Sequence, residues 1–352
     1  MREIAVTNEH EFAGRPLGFS REVADGVFAV NAAFWGFPNV VYFLRSGRTW
    51  ALVDSGVAET PARAIAPFLE QHGGFGSLEL VMGTHGHVDH IGGNAWLKQH
   101  APQARFALGA LDTDWAEDPH RHYETLYVHG APGGWRPDSE TEQVVREAIG
   151  GPVAIDHPLV GGEVLTFGLG REIETVHLGA HSPGQTLYID RMTGCAFSGD
   201  AVQGAGIMNT STGLRDFPMY RTLSDYRASL EAIRSLRPAL LCTAHAGIHE
   251  RGDVDGFIDR ALAWGVRFTE TILDIATEHG SFSMEELVEH LGERMPEYAL
   301  ILQVRVTAGE HLNALVARGD LVPTMEGGAK RWTRRQAPAP ASSSTVPSQT
   351  DR

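Results

Sequence analysis

Lysine is almost missing from this chain: of 29 basic residues only Lys98 and Lys330 are lysines, and all the others are arginine. Positive charge in general is in deficit, with a formal net charge of −15. So acidic a surface has no general attraction for phosphate backbones or anionic lipid, which counts against nucleic-acid and membrane-surface roles while leaving a local basic patch open. Cysteine is scarce as well. Cys195 and Cys242 are too few for a disulfide framework, and a reducing compartment is the default. No stretch approaches 18 apolar residues, and the opening MREIAVTNEHEFAGRP has no apolar targeting region. These absences together predict a soluble cytoplasmic protein without a membrane segment.

The remaining composition is that of a folded chain: 352 residues, 42% hydrophobic, 21% charged, with 40 glycines. Single cores seldom exceed about 250–300 residues, so one large domain and a smaller one are expected. Short β-type runs dominate the first half (VADGVFAV, NVVYFL, TWALVDSG), each ended by turn residues. LELVMGTH reads as a buried strand, GNAWLKQHAP as a helix and ARFALG as a strand. Residues 112–152, rich in His, Trp, Pro and Gly, predict a long functional loop with short helices. Strands return in EVLTFG, REIETVHLG, QTLYID and GCAFSGD, followed by the amphipathic helix SDYRASLEAIRSLRP and the strand ALLCTAH. Strands punctuated by helices in two similar blocks predict an α/β sandwich.

Past residue 250 the pattern turns helical. SMEE and TAGE both have the form of a capping box, the second predicting a helix that starts at Thr307 and ends before Gly319. LVPTMEGGAKRW predicts a β-hairpin, so 251–336 reads as a winged-helix-like C-terminal domain behind a catalytic domain over 1–250. Residues 337–352 form a Pro/Ala/Ser tail that cannot bury a core and is expected to be disordered.

The chemistry concentrates in THGHVDHIGG, which places His85, His87, Asp89 and His90 within six residues where a core strand ends. A lone His-x-His is as often a solvated turn as a ligand pair, but four coordinating groups so close together point to metal. His181, Asp200 and His245 each follow a predicted strand, where side chains from one sheet edge can converge. Imidazole and carboxylate donors without thiolate suit Zn²⁺, and equally Fe or Mn. Cys242, three residues before His245, reads as a core residue.

In these motifs the sequence resembles the metallo-β-lactamase-fold hydrolases over roughly residues 20–250. His85, His87, Asp89 and His90 stand as the family's His-x-His-x-Asp-His, and Asp54 in VDSG stands as its early Asp-x-Gly. The resemblance implies an αββα sandwich with two divalent metal ions. His85, His87 and His181 would hold one, Asp89, His90 and His245 the other, with Asp200 bridging. It further implies that a metal-bridging hydroxide is the nucleophile and that Asp89 orients it or handles a proton. Gln185 departs from the histidine that many relatives carry after Ser-Pro-Gly. The C-terminal segment makes the chain similar to the LACTB2 and glyoxalase II-like branch, although no basic set for glutathione carboxylates can be mapped.

Phe34, Trp35 and Phe37, with Trp115, Tyr123, Tyr127 and Trp135, predict an apolar, aromatic mouth, and the lid histidines His120, His122 and His129 are candidate substrate contacts. Such a mouth fits a small-molecule acyl substrate, a thioester or ester with lactones as the nearest variant. A single-strand endoribonuclease or phosphodiesterase is the alternative, for which arginines among the aromatics would be expected. Oligomeric state, a homodimer included, is left open by the sequence.

Overall fold

The computed structural model describes Phe12, residues 14–130 and residues 132–335. The opening segment from Met1 and the Pro/Ala/Ser tail over 337–352 lie outside the described residues apart from Phe12 and 14–16.

The strand Val40–Ser46 shows how the architecture follows from the sequence. VVYFLRS has no apolar–polar alternation, so both of its faces must be covered. Val40, Tyr42 and Leu44 point into one apolar cluster. Val41 and Phe43 point into another. Successive side chains on a strand face opposite ways, which sorts one run into two cores. Thr49–Val53 does the same, with Ala51 and Val53 on the first side and Trp50 and Leu52 on the second.

These strands belong to a seven-stranded sheet in chain order: Ser20–Ala24, Val27–Asn31, Val40–Ser46, Thr49–Val53, Leu78–Met82, Arg105–Gly109 and His157–Leu159. The first three pairings are antiparallel and the last three parallel. A six-stranded sheet runs Ile248–Glu250, Leu240–Thr243, Cys195–Gly199, Thr186–Asp190, Arg171–His177 and Val164–Phe167. Between the sheets lies a core holding Tyr42, Met82, Phe167, Tyr188 and Phe197, with Cys195 and Cys242 buried in it. Helices Ala66–Gln71 and Asn94–His100 cover the outer face of the first sheet, where Phe43 stacks on Phe68 at 4.2 Å. Helix Leu223–Leu236 covers the second. The layering is αββα, as expected.

The C-terminal region adds helices Arg251–His279, Met284–Arg294 and Leu302–Arg318, and strands Ser281–Ser283, Leu321–Glu326 and Ala329–Arg334. Gly327 and Gly328, both at positive φ, make the two-residue hairpin turn. The capping box at Ser283 is present in full. The one expected at Thr307 is not: that helix already starts at Leu302, leaving Thr307 inside it. Burial of Leu302 and Val304 extends the helix backwards, and the Thr307 hydroxyl takes a tertiary partner instead of a local one. One apolar cluster runs from Leu187 and Leu241 of the second sheet through Phe257 and Phe268 to Leu312 and Trp332, so this region shares its core with the sandwich. Among the described residues no helix is long and apolar enough to cross a membrane.

The 112–152 segment is more helical than expected. It holds Thr113–Glu117, Pro119–Tyr123 and a well-capped Ser139–Ile149, where the Asp138 carboxylate accepts from the Thr141 amide at 2.7 Å. The apolar positions of that last helix, Val145, Ala148 and Ile149, crowd into its second half and hide the period; they pack on Val57 and Val88.

Candidate metal centre

The strand Leu78–Met82 delivers the chain to the edge of the sandwich, and His87 is the N-cap of a single helical turn, Val88–Ile91. That break lets His85 and His87, which would share a face on a strand, converge with Asp89 and His90. Gly86 has no room for a side chain: a Cβ there would lie 2.6 Å from the Trp115 ring and 3.0 Å from Asp112. His181 comes from the turn before Thr186–Asp190, Asp200 from the end of Cys195–Gly199, and His245 from the end of Leu240–Thr243. All seven side chains predicted from sequence are brought together. Three groups have ligand atoms within 4.8 Å of one another: His85 with His87 and His181, His85 with His90 and Asp200, and Asp89 with His90 and His245.

Three of the histidines are held by one ring nitrogen and turn the other inward. His90 Nδ1 pairs with Asp54 Oδ2 at 2.8 Å, His181 Nδ1 with the Met219 carbonyl at 2.7 Å, and His245 Nδ1 with the Pro38 carbonyl at 2.5 Å. Facing inward, His181 Nε2 lies 2.8 Å from His87 Nδ1. The Asp200 carboxylate lies across the middle, 3.5 Å from His181 Nε2 through Oδ2, and 3.6 and 3.3 Å from His90 and His245 Nε2 through Oδ1. His85 Nε2, His90 Nε2 and Asp200 Oδ1 are fully buried without a hydrogen-bond partner. Buried polar atoms do not stay unpaired without cause, and inward-facing imidazoles fixed from behind by carbonyl or carboxylate are the arrangement of metal ligands. The donor set fits divalent cations.

Electrostatics divide the cluster in two. Burial, then neighbouring imidazoles, holds His85 and His87 well below the usual histidine range; burial also lowers His181. These are neutral, as coordination requires. On the other side, burial is outweighed by Asp89, Asp54 and Asp200, and His90 is raised well above its usual value; Asp200 and Asp89 raise His245 similarly. Excess carboxylate there is what a second cation would neutralise.

Two supporting residues left a weak trace in the sequence. Asp112 is fully buried and accepts from Gly86 N (2.8 Å), Ser182 Oγ (2.5 Å) and Gly184 N (2.7 Å), tying the His85–His90 turn to the His181 turn. Gln185 donates through Nε2 to the Ser198 carbonyl at 3.1 Å, a role for which an amide suffices in place of the expected imidazole.

A cavity of about 670 Å³ opens on the cluster, lined by Phe34, Trp35, Phe37, Leu126, Tyr127 and Trp135. Trp35, at 44% exposure and φ 45°, is presented by a tight turn that Asn209 and Thr210 hold through the Trp35 and Gly36 carbonyls. Trp115 and Tyr123, expected at the mouth, are buried instead, Trp115 stacked 6.0 Å from His87. None of the lid histidines lines the cavity: His120 and His129 are exposed, and His122 is fully buried with both ring nitrogens unpaired. The far wall, Ile301, Leu302, Gln303, Val306 and Glu310, comes from the start of the C-terminal helix and its N-cap, and no sequence pattern singled out those residues.

The family model described as the Metallo-beta-lactamase superfamily matches residues 35–245, which include all seven clustered residues. The chain belongs to the metallo-beta-lactamase superfamily. Superfamily members are generally hydrolases, and the His/Asp cluster is positioned for binding metal ions. Acyl-coenzyme A thioesterase MBLAC2 of Gallus gallus is 25% identical over 234 residues, 64% of this chain and 76% of that one. Hydroxyacylglutathione hydrolase GloC of Haemophilus influenzae is 27% identical over 161 residues, 45% of this chain and 62% of that one. Among solved structures, a metallo-beta-lactamase family protein of Thermus thermophilus superposes with a TM-score of 0.69 at 22% identity, covering 89% of this chain and all of that one. A beta-lactamase domain protein from Burkholderia ambifaria gives the same TM-score and identity over 93% of this chain and 99% of its own. At that identity the likeness concerns fold, and it reaches well beyond residue 245 into the C-terminal region.

Asp216 also lines the cavity, at 5% exposure and outside the predicted ligand set. Burial pushes its carboxyl up to about 7. In metal-free protein the folded state therefore binds this proton more tightly than the unfolded chain. Stability falls as pH rises from about 4 to 7 and is flat above, a cost of at most about 4 kcal/mol. Asp216→Asn should raise the unfolding midpoint of metal-free protein at pH 8 and leave it unchanged at pH 4. Equal midpoints at pH 8, by thermal scan, would refute a buried charge at this position.

Proposed function

We propose that this protein is a dinuclear-metal hydrolase of acyl thioesters, with zinc as the working metal and a small acyl substrate in the cytoplasm. One observation supports this reading above the others: the His/Asp cluster forms the floor of a cavity whose other named walls are mainly aromatic and aliphatic. Such walls suit an acyl chain; Arg136 and Arg221 are the basic residues among them, and two arginines are fewer than the basic track a polynucleotide would call for. The two relatives named as a thioesterase and a hydroxyacylglutathione hydrolase support the same bond type. Residues 251–336 act, in this proposal, as a winged-helix-like unit that walls the cavity behind the 1–250 catalytic part.

Two divalent ions at the cluster would supply an activated water and polarise the substrate carbonyl. The chain's own residues do the rest. Phe34, Trp35 and Phe37 exclude bulk water and orient the acyl group. Asp200 spans the two triads and sets their separation. In this reading the Asp89 carboxylate, 3.1 Å from His245 Nε2 and lining the cavity, takes or returns a proton.

The test is thiol release from a panel of acyl and aryl thioesters, with His87→Ala as the metal-site control. Release by the wild type and its loss in the variant is the expected result. No release from protein shown to contain metal would end the thioester reading and leave lactones, then single-stranded RNA, as the substrates to assay.

A further inference from the structure

Thr307 looked like a helix cap in the sequence and does something else in the fold. It lies in the middle of Leu302–Arg318, fully buried, and donates through Oγ1 to the Pro218 carbonyl at 2.6 Å. One turn on, on the same face of the helix, His311 is also fully buried. Its Nε2 meets the Tyr220 hydroxyl at 2.5 Å and its Nδ1 meets Thr269 Oγ1 at 2.7 Å. The Thr269 hydroxyl proton goes to the Gly265 carbonyl at 2.9 Å, so Nδ1 donates to that oxygen and Nε2 accepts from Tyr220. Burial holds His311 down to about 3, so the ring stays neutral and the chain of donors keeps one direction. Two adjacent side chains of the C-terminal helix thus grip Pro218 and Tyr220, on either side of Met219.

Met219 is where the grip meets the metal centre. Its carbonyl accepts from His181 Nδ1 at 2.7 Å. Its amide donates to Gln203 Oε1 at 2.6 Å, and Gln203 Nε2 donates to Asp200 Oδ2 at 2.9 Å. Next along, the Arg221 amide donates to the Ala180 carbonyl at 2.9 Å, holding the residue before His181. One peptide segment therefore sets both the ring orientation of His181 and, through Gln203, the direction of the Asp200 carboxylate. The segment has little regular structure of its own; the ribbon strand Arg215–Asp216 ends before it and Leu223–Leu236 begins after it.

We propose that Thr307 and His311 are positioning residues of the metal centre: by fixing Pro218–Tyr220 they hold His181 and Asp200 in their ligating directions through Met219 and Gln203. This rests on the cluster being a metal site. The C-terminal helix is then part of the frame of the centre as well as a wall of the cavity. A partner that orients a ligating histidine typically matters by about 10–100-fold in metal affinity, and one acting a step further out belongs at the lower end.

The experiment uses the full chain, stripped of metal and titrated with Co²⁺ against a chromophoric chelator, with the Co²⁺ absorption spectrum and metal-free thermal unfolding recorded alongside. Thr307→Val should weaken Co²⁺ binding on the order of tenfold and alter the ligand-field bands, and Thr307→Ser should restore both. Thr277→Val, which removes an exposed hydroxyl bonded to the Leu273 carbonyl in a neighbouring helix, should change neither. Gln203→Met should shift the spectrum in the same sense as Thr307→Val. A folded Thr307→Val protein that titrates like wild type would overturn the proposal. If that variant does not fold, Tyr220→Phe, which removes a single hydroxyl, decides by the same criterion. Failure of the wild type itself to bind Co²⁺ would instead refute the metal site.

Discussion

Asp200→Ala should lower hydrolysis by at least about a thousandfold, roughly 4 kcal/mol of transition-state stabilisation, and reduce the bound metal below two ions per chain. The expectation follows from where the two carboxylate oxygens lie. Oδ2 faces His181 on one side of the cluster, while Oδ1 faces His90 and His245 on the other. In the proposed two-ion centre its removal should therefore reach both sides. Asp200→Asn, which keeps the shape and loses the charge, should be nearly as damaging if charge neutralisation is the main term. Metal counting on purified protein, together with initial rates on whichever thioester is turned over, gives the answer. A variant that keeps two ions and activity within about tenfold of wild type would show that Asp200 does not bridge.

Asp54→Ala should be strongly destabilising in the metal-free protein. Asp54 occupies the left-handed region at φ 61° at the end of Thr49–Val53, and it is buried. Its carboxylate accepts from Thr84 N at 2.7 Å and Thr84 Oγ1 at 3.0 Å, and it pairs with His90 Nδ1 at 2.8 Å. Alanine leaves the Thr84 amide and the raised His90 imidazole buried without this acceptor, and it strains the turn. Breaking a buried pair from one side typically costs about 3–5 kcal/mol. Metal affinity should drop about 10–100-fold as well, because His90 loses the partner that fixes its ring. Asparagine tolerates the left-handed turn, so Asp54→Asn separates the two effects: it should recover most of the backbone term and little of the affinity. Denaturant unfolding of metal-free protein reads the first quantity and Co²⁺ titration the second. An Asp54→Ala protein within about 1 kcal/mol of wild type would contradict this account of the turn.

Much of the centre was legible because its information is local. His85, His87, Asp89 and His90 sit within six residues, and a chain leaving a buried strand into one helical turn has few ways to arrange them. His181, Asp200 and His245 could be found because strand ends in a sandwich open onto a common edge, and apolar runs mark strands. The α/β sandwich was readable from strand runs punctuated by helices. The αββα order came from the family resemblance, and the structure shows its physical reason in runs such as VVYFLRS, apolar on both faces and therefore covered on both sides.

What the sequence by itself determined is therefore the class of fold and a set of candidate donors, since these depend on hydrophobic runs, on one local cluster at His85–His90 and on residue types just past strand ends. Only the tertiary structure decided what surrounds and holds those donors. Thr307 has the spacing of a cap and the job of a clamp, because its partner at Pro218 is 89 residues away. Asp112 looks like any loop aspartate until folding sets it between two ligand turns. Trp115 reads as a mouth aromatic and is buried against His87. Asp216 becomes an unusual acid through burial, which no local pattern encodes. The far wall of the cavity belongs to a helix that starts past residue 300, and the geometry that joins it to the centre exists only once the chain is packed.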